Sequence, residues 1–224
     1  MKMVIAIDGP SGAGKSTIAK LIAKEVGFDY LDTGALYRAV ALHLVSLGLN
    51  ENASDEEISL ALDKTRVEFI KGTVFLNGKD ISKEIRSQEA GHYASVFSAR
   101  KHVREYLLEI QRNAAVNSDL VAEGRDMTTV VFPNAYRKFY LDASVEERAG
   151  RRARELISKG FEIDENQIRL DIIERDTRDS NRDIAPLKKV EDAFLVDSTG
   201  LSVEEVFRII RDSIEDGRGV NIDR

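Results

Sequence analysis

Gly9-Pro10-Ser11-Gly12-Ala13-Gly14-Lys15-Ser16 matches the pattern G-x-x-x-x-G-K-[ST] at every fixed position. Before it stands a short apolar run, Met3-Val4-Ile5-Ala6-Ile7. After it Ile18, Leu21, Ile22 and Val26 recur at helical spacing. Strand, glycine loop and helix in that order make a phosphate loop. Small residues let backbone N–H groups approach an anion, and the helix turns its positive end toward it. In such a loop Lys15 reaches the β- and γ-phosphates and the Ser16 hydroxyl serves Mg²⁺. The expected cradle for the triphosphate therefore comprises Gly9, Pro10, Ser11, Gly12, Ala13, Gly14, Lys15, Ser16 and Thr17. The loop specifies a nucleoside triphosphate and leaves its fate open.

Outward from the loop, the chain alternates. Apolar runs at Val4–Ile7, Phe28–Leu31, Leu120–Ala122, Lys138–Leu141 and Ala193–Val196 read as buried strands with helical patterns between them. That alternation predicts an α/β fold on a parallel sheet. A last helix carries Val203, Val206, Phe207, Ile210 and Ile214, and the polar tail Asp216–Arg224 is expected to fray. Two stretches break the alternation. Between the second and third strands, a helix (Leu36 to Leu47) precedes Arg66–Ile70 and Val74–Leu76, which pair as a hairpin around Lys71-Gly72. Asn77-Gly78 then turns the chain toward Ile81 and Ile85, giving a small antiparallel insert. The second stretch, Ser144 to Leu187, is mostly charged helix.

Composition narrows the function. A chain of 224 residues suits one large domain, or a core with inserted pieces. A net charge of -6 argues against general nucleic-acid binding. The absence of cysteine removes disulfides, thiolate metal sites and thiol catalysis. No apolar stretch approaches the roughly 20 residues of a membrane span, and no leader pattern precedes the first strand. The expectation is a cytoplasmic protein without membrane association or an obligate protein partner, a monomer in the simplest case.

Arg148, Arg151, Arg152, Arg154, Arg169, Arg175, Arg178 and Arg182 crowd the charged stretch. Arg175, Arg178 and Arg182 share one helix face. Acids nearby allow a salt-bridged surface helix, but arginine in this excess suits bidentate phosphate recognition. Beside a phosphate loop, the segment reads as a lid that neutralises charge on a transferred phosphoryl group and excludes water.

Two other segments follow strands at their carboxyl ends, where open parallel sheets bind ligands. Asp32-Thr33-Gly34-Ala35-Leu36-Tyr37-Arg38 follows the second strand. There Thr33 and the first helical amides could take a phosphate or a base edge, or Asp32 or Thr33 could simply cap the helix. Glu123-Gly124-Arg125-Asp126 ends the third strand and pairs a donor fork with an acceptor. Asp126 as a Mg²⁺ ligand of Walker-B type ranks below nucleoside recognition, because neither it nor Glu123 closes a run of four apolar residues. Ser95 and Arg104, each structural if taken alone, precede the long helix and can join the same site. His43, His92 and His102 are scattered and read as structural.

Together these motifs resemble the bacterial cytidylate kinases. The likeness runs nearly end to end, through Asp8–Thr17, Asp32–Arg38, Glu84-Ile85-Arg86, Gly124-Arg125-Asp126-Met127, Val130-Val131-Phe132-Pro133, Leu141–Ser144, Arg175-Asp176, Arg178-Asp179, Asn181-Arg182, Ala185-Pro186-Leu187 and Asp197-Ser198-Thr199. The resemblance implies a three-layer phosphate-loop fold with a five-stranded parallel sheet, an inserted monophosphate-binding unit with a small antiparallel sheet, and a helical lid. It divides the chain into a core (1–34, 105–147 and 188–224), an acceptor unit (35–104) and a lid (148–187). It implies MgATP as donor and CMP or dCMP as acceptor. Asp32, Thr33, Arg38, Ser95, Arg104, Arg125, Asp126, Arg175 and Arg182 would bind the acceptor. Lys15, Arg125, Asp126, Arg175, Arg178 and Arg182 would serve catalysis, and Ser16 the metal. Thr128 departs from the family, which usually has glycine there. A β-branched residue is poor at positive φ, so the backbone after Asp126 is expected to differ.

Spacing cannot separate CMP from UMP or AMP as acceptor. A GTPase-type nucleotide switch would need a guanine-reading Asn-Lys-x-Asp, which this chain lacks.

Overall fold

The computed structural model describes residues 2–70 and 72–216, so the polar tail from 217 onward and Lys71 of the hairpin lie outside the described residues. The chain runs β1 (Val4–Asp8), α1 (Lys15–Val26), β2 (Asp29–Asp32), α2 (Thr33–Ser46), α3 (Asp55–Leu62), β3 (Val67–Ile70), β4 (Thr73–Leu76), β5 (Lys79–Asp80), α4 (Gln88–Phe97), α5 (Lys101–Asn113), β6 (Leu120–Gly124), β7 (Arg137–Asp142), α6 (Val145–Ser158), α7 (Glu165–Asn181), β8 (Phe194–Asp197) and α8 (Val203–Asp216). All five expected core strands are present, shifted by a residue or two at their ends.

The main sheet has the order β2-β6-β1-β7-β8, and every neighbouring pair is parallel. β1 lies at its centre with every residue buried, which is why it is apolar from Val4 to Ile7, up to the buried Asp8 at its carboxyl end. Its side chains alternate between two cores, as the strand period requires. Val4 and Ala6 pack with Leu36, Leu44, Phe97 and Leu107 on one face. Ile5 and Ile7 pack with Ile18, Ile22, Val206 and Ile210 on the other. The sheet is thus the middle of three layers. On α8 the buried stripe is Val206, Ile210 and Ile214, whereas Val203 at its start is exposed.

The insert contributes to the first of these cores through Val67, Val74, Ile81 and Ile85. Its sheet has three antiparallel strands, one more than the hairpin in the sequence. Asn77 and Gly78, at φ 49° and 80°, both adopt the left-handed conformation of a tight hairpin turn and fold the short β5 back onto β4. α6 and α7 form a hairpin with its own small apolar cluster of Ala153, Leu156, Ile168 and Ile172. Among the described residues, no helix is long and apolar enough to cross a membrane.

Candidate active site

The carboxyl ends of β1, β2 and β6 converge, with Asp8 level with Gly124 and Asp32 level with Glu123. The phosphate loop leaves β1 here and α1 starts at Lys15. Lys15 is buried, and its Nζ donates to the Pro10 carbonyl at 2.7 Å. Burial, then the Arg125 guanidinium, push its pKa down to about 7, although Glu123 and Asp8 pull the other way. A triphosphate favours the ammonium form. Above pH 7 the free chain therefore lacks a proton that the complex carries. ATP binding is expected to take up a proton, and apparent affinity to fall by up to about tenfold per pH unit above neutrality. Calorimetry at about pH 8 in two buffers of different ionisation enthalpy checks this. Equal heats would contradict it.

Ser16 Oγ donates to Glu123 Oε1 at 2.6 Å. The Glu123 carboxyl is buried, and burial followed by the neighbouring Asp32 charge raises its pKa. Glu123 is therefore the acid in contact with the Ser16 hydroxyl, a contact that its short apolar run concealed. The available signal was an acid closing Leu120-Val121-Ala122 on the strand that turned out to neighbour β1. Thr33 Oγ1 donates to the Glu123 carbonyl at 2.7 Å, and Asp32 Oδ1 caps α2 by accepting from Ala35 N at 2.9 Å. Asp32 thus caps α2, the plainer of its sequence readings, whereas Thr33 ties the start of α2 to the end of β6.

Asp8, fully buried, accepts from Met127 N at 2.9 Å, Thr128 N at 2.8 Å and Thr128 Oγ1 at 2.6 Å. Burial raises its pKa and the Thr128 bonds oppose that. Residues Met127–Val131 form a π-helical turn. Among the described residues, non-glycine positive φ occurs at Asn77 and Ala185, not at Thr128. The expected conflict at Thr128 is absent, and its side chain supplies a hydrogen bond between the phosphate loop's strand and the segment after Asp126.

The arginines of the charged stretch divide by partner. Arg152 and Arg154 pair with Glu155 and Glu147 on the surface, and Arg169 with Glu146. Arg148 Nη1 donates to Ser11 O at 2.9 Å and also pairs with Asp176, whose Oδ1 accepts from Ser11 N at 3.1 Å. Arg151 Nη1 reaches Ala13 O at 3.3 Å. Arg148, Arg151 and Asp176 therefore brace the phosphate loop, a contact not foreseen from spacing.

Deeper in the site, Arg125 Nε donates to Asp179 Oδ2 at 2.9 Å. Burial and the nearby Arg125 lower the Arg175 pKa to about 10, and Arg38 adds to the repulsion. Arg175 also depresses Lys15. Arg182 Nε donates to Ala185 O at 2.6 Å and its Nη1 lies 3.9 Å from Asp179. Arg175 Nε and Arg182 Nη2 are buried without a hydrogen-bond partner. Burial opposes the Asp179 charge, yet Arg125, Arg175 and Arg182 together hold its carboxyl below the usual range. Mutually repelling cations with buried unsatisfied N–H groups make an anion site. Arg178 stands apart, donating to Ser95 Oγ at 2.8 Å and pairing with Glu174, so it ties α7 to α4.

Behind the cations lies a cavity of about 310 Å³, lined by Tyr37, Arg104, Leu108, Gln111, Asp126 and Val130 among others. Arg104 pairs with Asp126, donates to Ser98 O at 2.9 Å, and lies 5.5 Å from the Tyr37 ring centre. A small, mostly apolar chamber with a few convergent polar groups suits a planar heterocycle.

The cytidylate kinase family profile matches residues 5–216. A cytidylate kinase of Thermosipho melanesiensis is 51% identical over 92% of this chain and 94% of that protein. One of Thermodesulfovibrio yellowstonii is 49% identical over 94% and 96% respectively. Among solved structures, an uncharacterized protein of Eubacterium ventriosum superposes with a TM-score of 0.52 at 12% identity, covering 96% of this chain and 99% of that one, a likeness of fold alone. The chain belongs to the cytidylate kinase family.

Proposed function

We propose that this chain transfers the γ-phosphate of MgATP in line to the phosphate of CMP or dCMP, giving ADP and CDP or dCDP. The observation that carries this reading is the arrangement of charge. A phosphate loop faces guanidiniums with unpaired buried N–H groups, and a chamber for a base opens behind them. Donor loop, anion site and chamber together match two nucleotides meeting phosphate to phosphate.

The Gly9–Thr17 backbone and Lys15 hold the donor. Arg38, Arg125, Arg175 and Arg182 take the acceptor phosphate, and Arg104 and Asp126 its base. Lys15, Arg125, Arg175 and Arg182 also neutralise charge that spreads over the transferred oxygens. The attacking phosphate oxygen is already anionic near neutral pH, so no strong base is needed. Ser16 and Glu123 fit a hard cation that keeps most of its waters, and Mg²⁺ would supply charge neutralisation at the β- and γ-oxygens. Arg178 acts through its bond to Ser95, closing lid on acceptor helix. In this account residues 1–34, 105–147 and 188–224 are the core, 35–104 the acceptor unit and 148–187 the lid, working as a monomer.

A coupled assay across CMP, dCMP, UMP and AMP tests the acceptor. Turnover is expected with CMP and dCMP well above UMP and AMP. Equal turnover of all four would overturn cytidylate specificity.

A further inference from the structure

Gln111 has no part in the roles above. It lies on α5, two turns beyond Arg104, and lines the same chamber. Its side chain is almost wholly inaccessible at 1% exposure, yet Nε2 has no hydrogen-bond partner. Burial raises the Tyr37 pKa, and the Gln111 amide pointing toward its hydroxyl opposes this in part, a contact whose geometry is too poor to satisfy Nε2. Leaving such a donor unpaired in the folded chain is unfavourable, and native interiors seldom do so without a reason. Tyr37, Glu105 and Asp126 line the chamber as acceptors, but none completes a bond to Nε2. Arg104 is itself a donor already engaged by Asp126 and Ser98, and Leu108 and Val130 are apolar.

We infer that Gln111 is a specificity-determining residue whose Nε2 donates to the ring carbonyl of the acceptor's pyrimidine. This inference rests on the cytidylate kinase reading of the site. A pyrimidine edge carries two kinds of group. The exocyclic amine of cytosine needs an acceptor, which Asp126 is. The ring carbonyl needs a donor, which the unpaired amide is. Cytosine presents two ring acceptors, the nitrogen and the carbonyl, so a single donor fork at Arg104 placed on the nitrogen leaves the carbonyl to Gln111, which completes the set. An amide is suited to this because it donates without adding charge to an apolar wall.

The test is Gln111→Met, which keeps length and removes the donor. If the amide serves the ligand, the ligand-free variant melts no lower than wild type, since an unsatisfied polar group has been removed. KM for CMP is expected to rise about tenfold to a hundredfold, with KM for ATP unchanged. The same factor is expected with the pyrimidin-2-one riboside monophosphate, which keeps the ring carbonyl but lacks the amine. Gln111→Asn, a donor on a shorter stem, should recover part of the loss. A lower melting temperature with unchanged KM for CMP would make Gln111 structural and overturn the inference. A factor that vanishes with the amine-free analogue would mean that Gln111 reads the amine, and would overturn it equally. Wild-type turnover of CMP is measured alongside. Its absence would defeat the proposed function, whereas its presence with an indifferent Gln111→Met defeats this inference alone.

Discussion

Lys15→Met is expected to lower kcat at least about a hundredfold, the scale of losing one preorganised charge donor at a developing anion. The amine stands at the start of α1 within the loop and inside a field of guanidiniums. In the ligand-free chain it bonds to Pro10 O, so a triphosphate must draw it away from the loop's own carbonyl. Removing it leaves the transferred phosphoryl oxygens to Arg125, Arg175 and Arg182. The ligand-free fold should not suffer, because burial and Arg125 already disfavour the Lys15 charge. Its pKa is lower in the folded chain than in the unfolded one, so the unfolded chain binds more protons between about pH 7 and 10.5. Stability from this residue therefore rises with pH across that window. Lys15→Met should remove that contribution and melt at or above wild type near neutrality. Steady-state rates and thermal melts together separate the two effects. A kcat near wild type in a folded variant would sink the catalytic role of Lys15.

Gly9→Ala is expected to be the most damaging single change to the fold. A Cβ on Gly9 would lie 1.9 Å from the Leu141 carbonyl oxygen and 3.0 Å from its carbon. Both are backbone atoms of β7, which is paired to β1 in register one residue earlier, Asp8 with Tyr140. No rotamer change relieves the clash. Either the central strands part or the loop departs from the sheet. The expected loss is about 3 kcal/mol or more, beyond ordinary overpacking. For a chain of this length that lowers Tm by roughly 6 to 12 °C. Gly12→Ala is the milder comparison: its Cβ would meet the Arg148 Cβ at 3.1 Å rather than a carbonyl oxygen at 1.9 Å, although its φ of 77° carries left-handed strain of its own. Differential scanning calorimetry on both variants checks the order. A wild-type melt for Gly9→Ala would show that the β1–β7 junction is looser than the register implies.

The sequence carried the fold well because its strongest constraints are local. The glycine loop needs a strand before it and a helix after it, and central parallel strands must be apolar on both faces. β5 escaped notice because two exposed polar residues form it, and only the backbone of Asn77-Gly78 brings them into register. The site was legible as residue types more than as contacts. Arg125, Asp126, Arg175 and Arg182 come together as their motifs imply. The Glu123 contact with Ser16 depends on which strand neighbours β1, a crossover that spacing along the chain does not encode. The bracing of the loop by Arg148 and Asp176, residues far apart from it in the sequence, was hidden for the same reason. Gln111 looked like any helical glutamine until the chamber beside it was visible.

The central claim is that the phosphate loop is the donor half of a two-nucleotide site. ADP release from MgATP, followed with and without CMP and with CDP quantified in the same samples, tests it most directly. The account predicts that ADP forms only in step with CDP and saturates with CMP. ADP release that proceeds equally without CMP, or that yields no CDP, would contradict it.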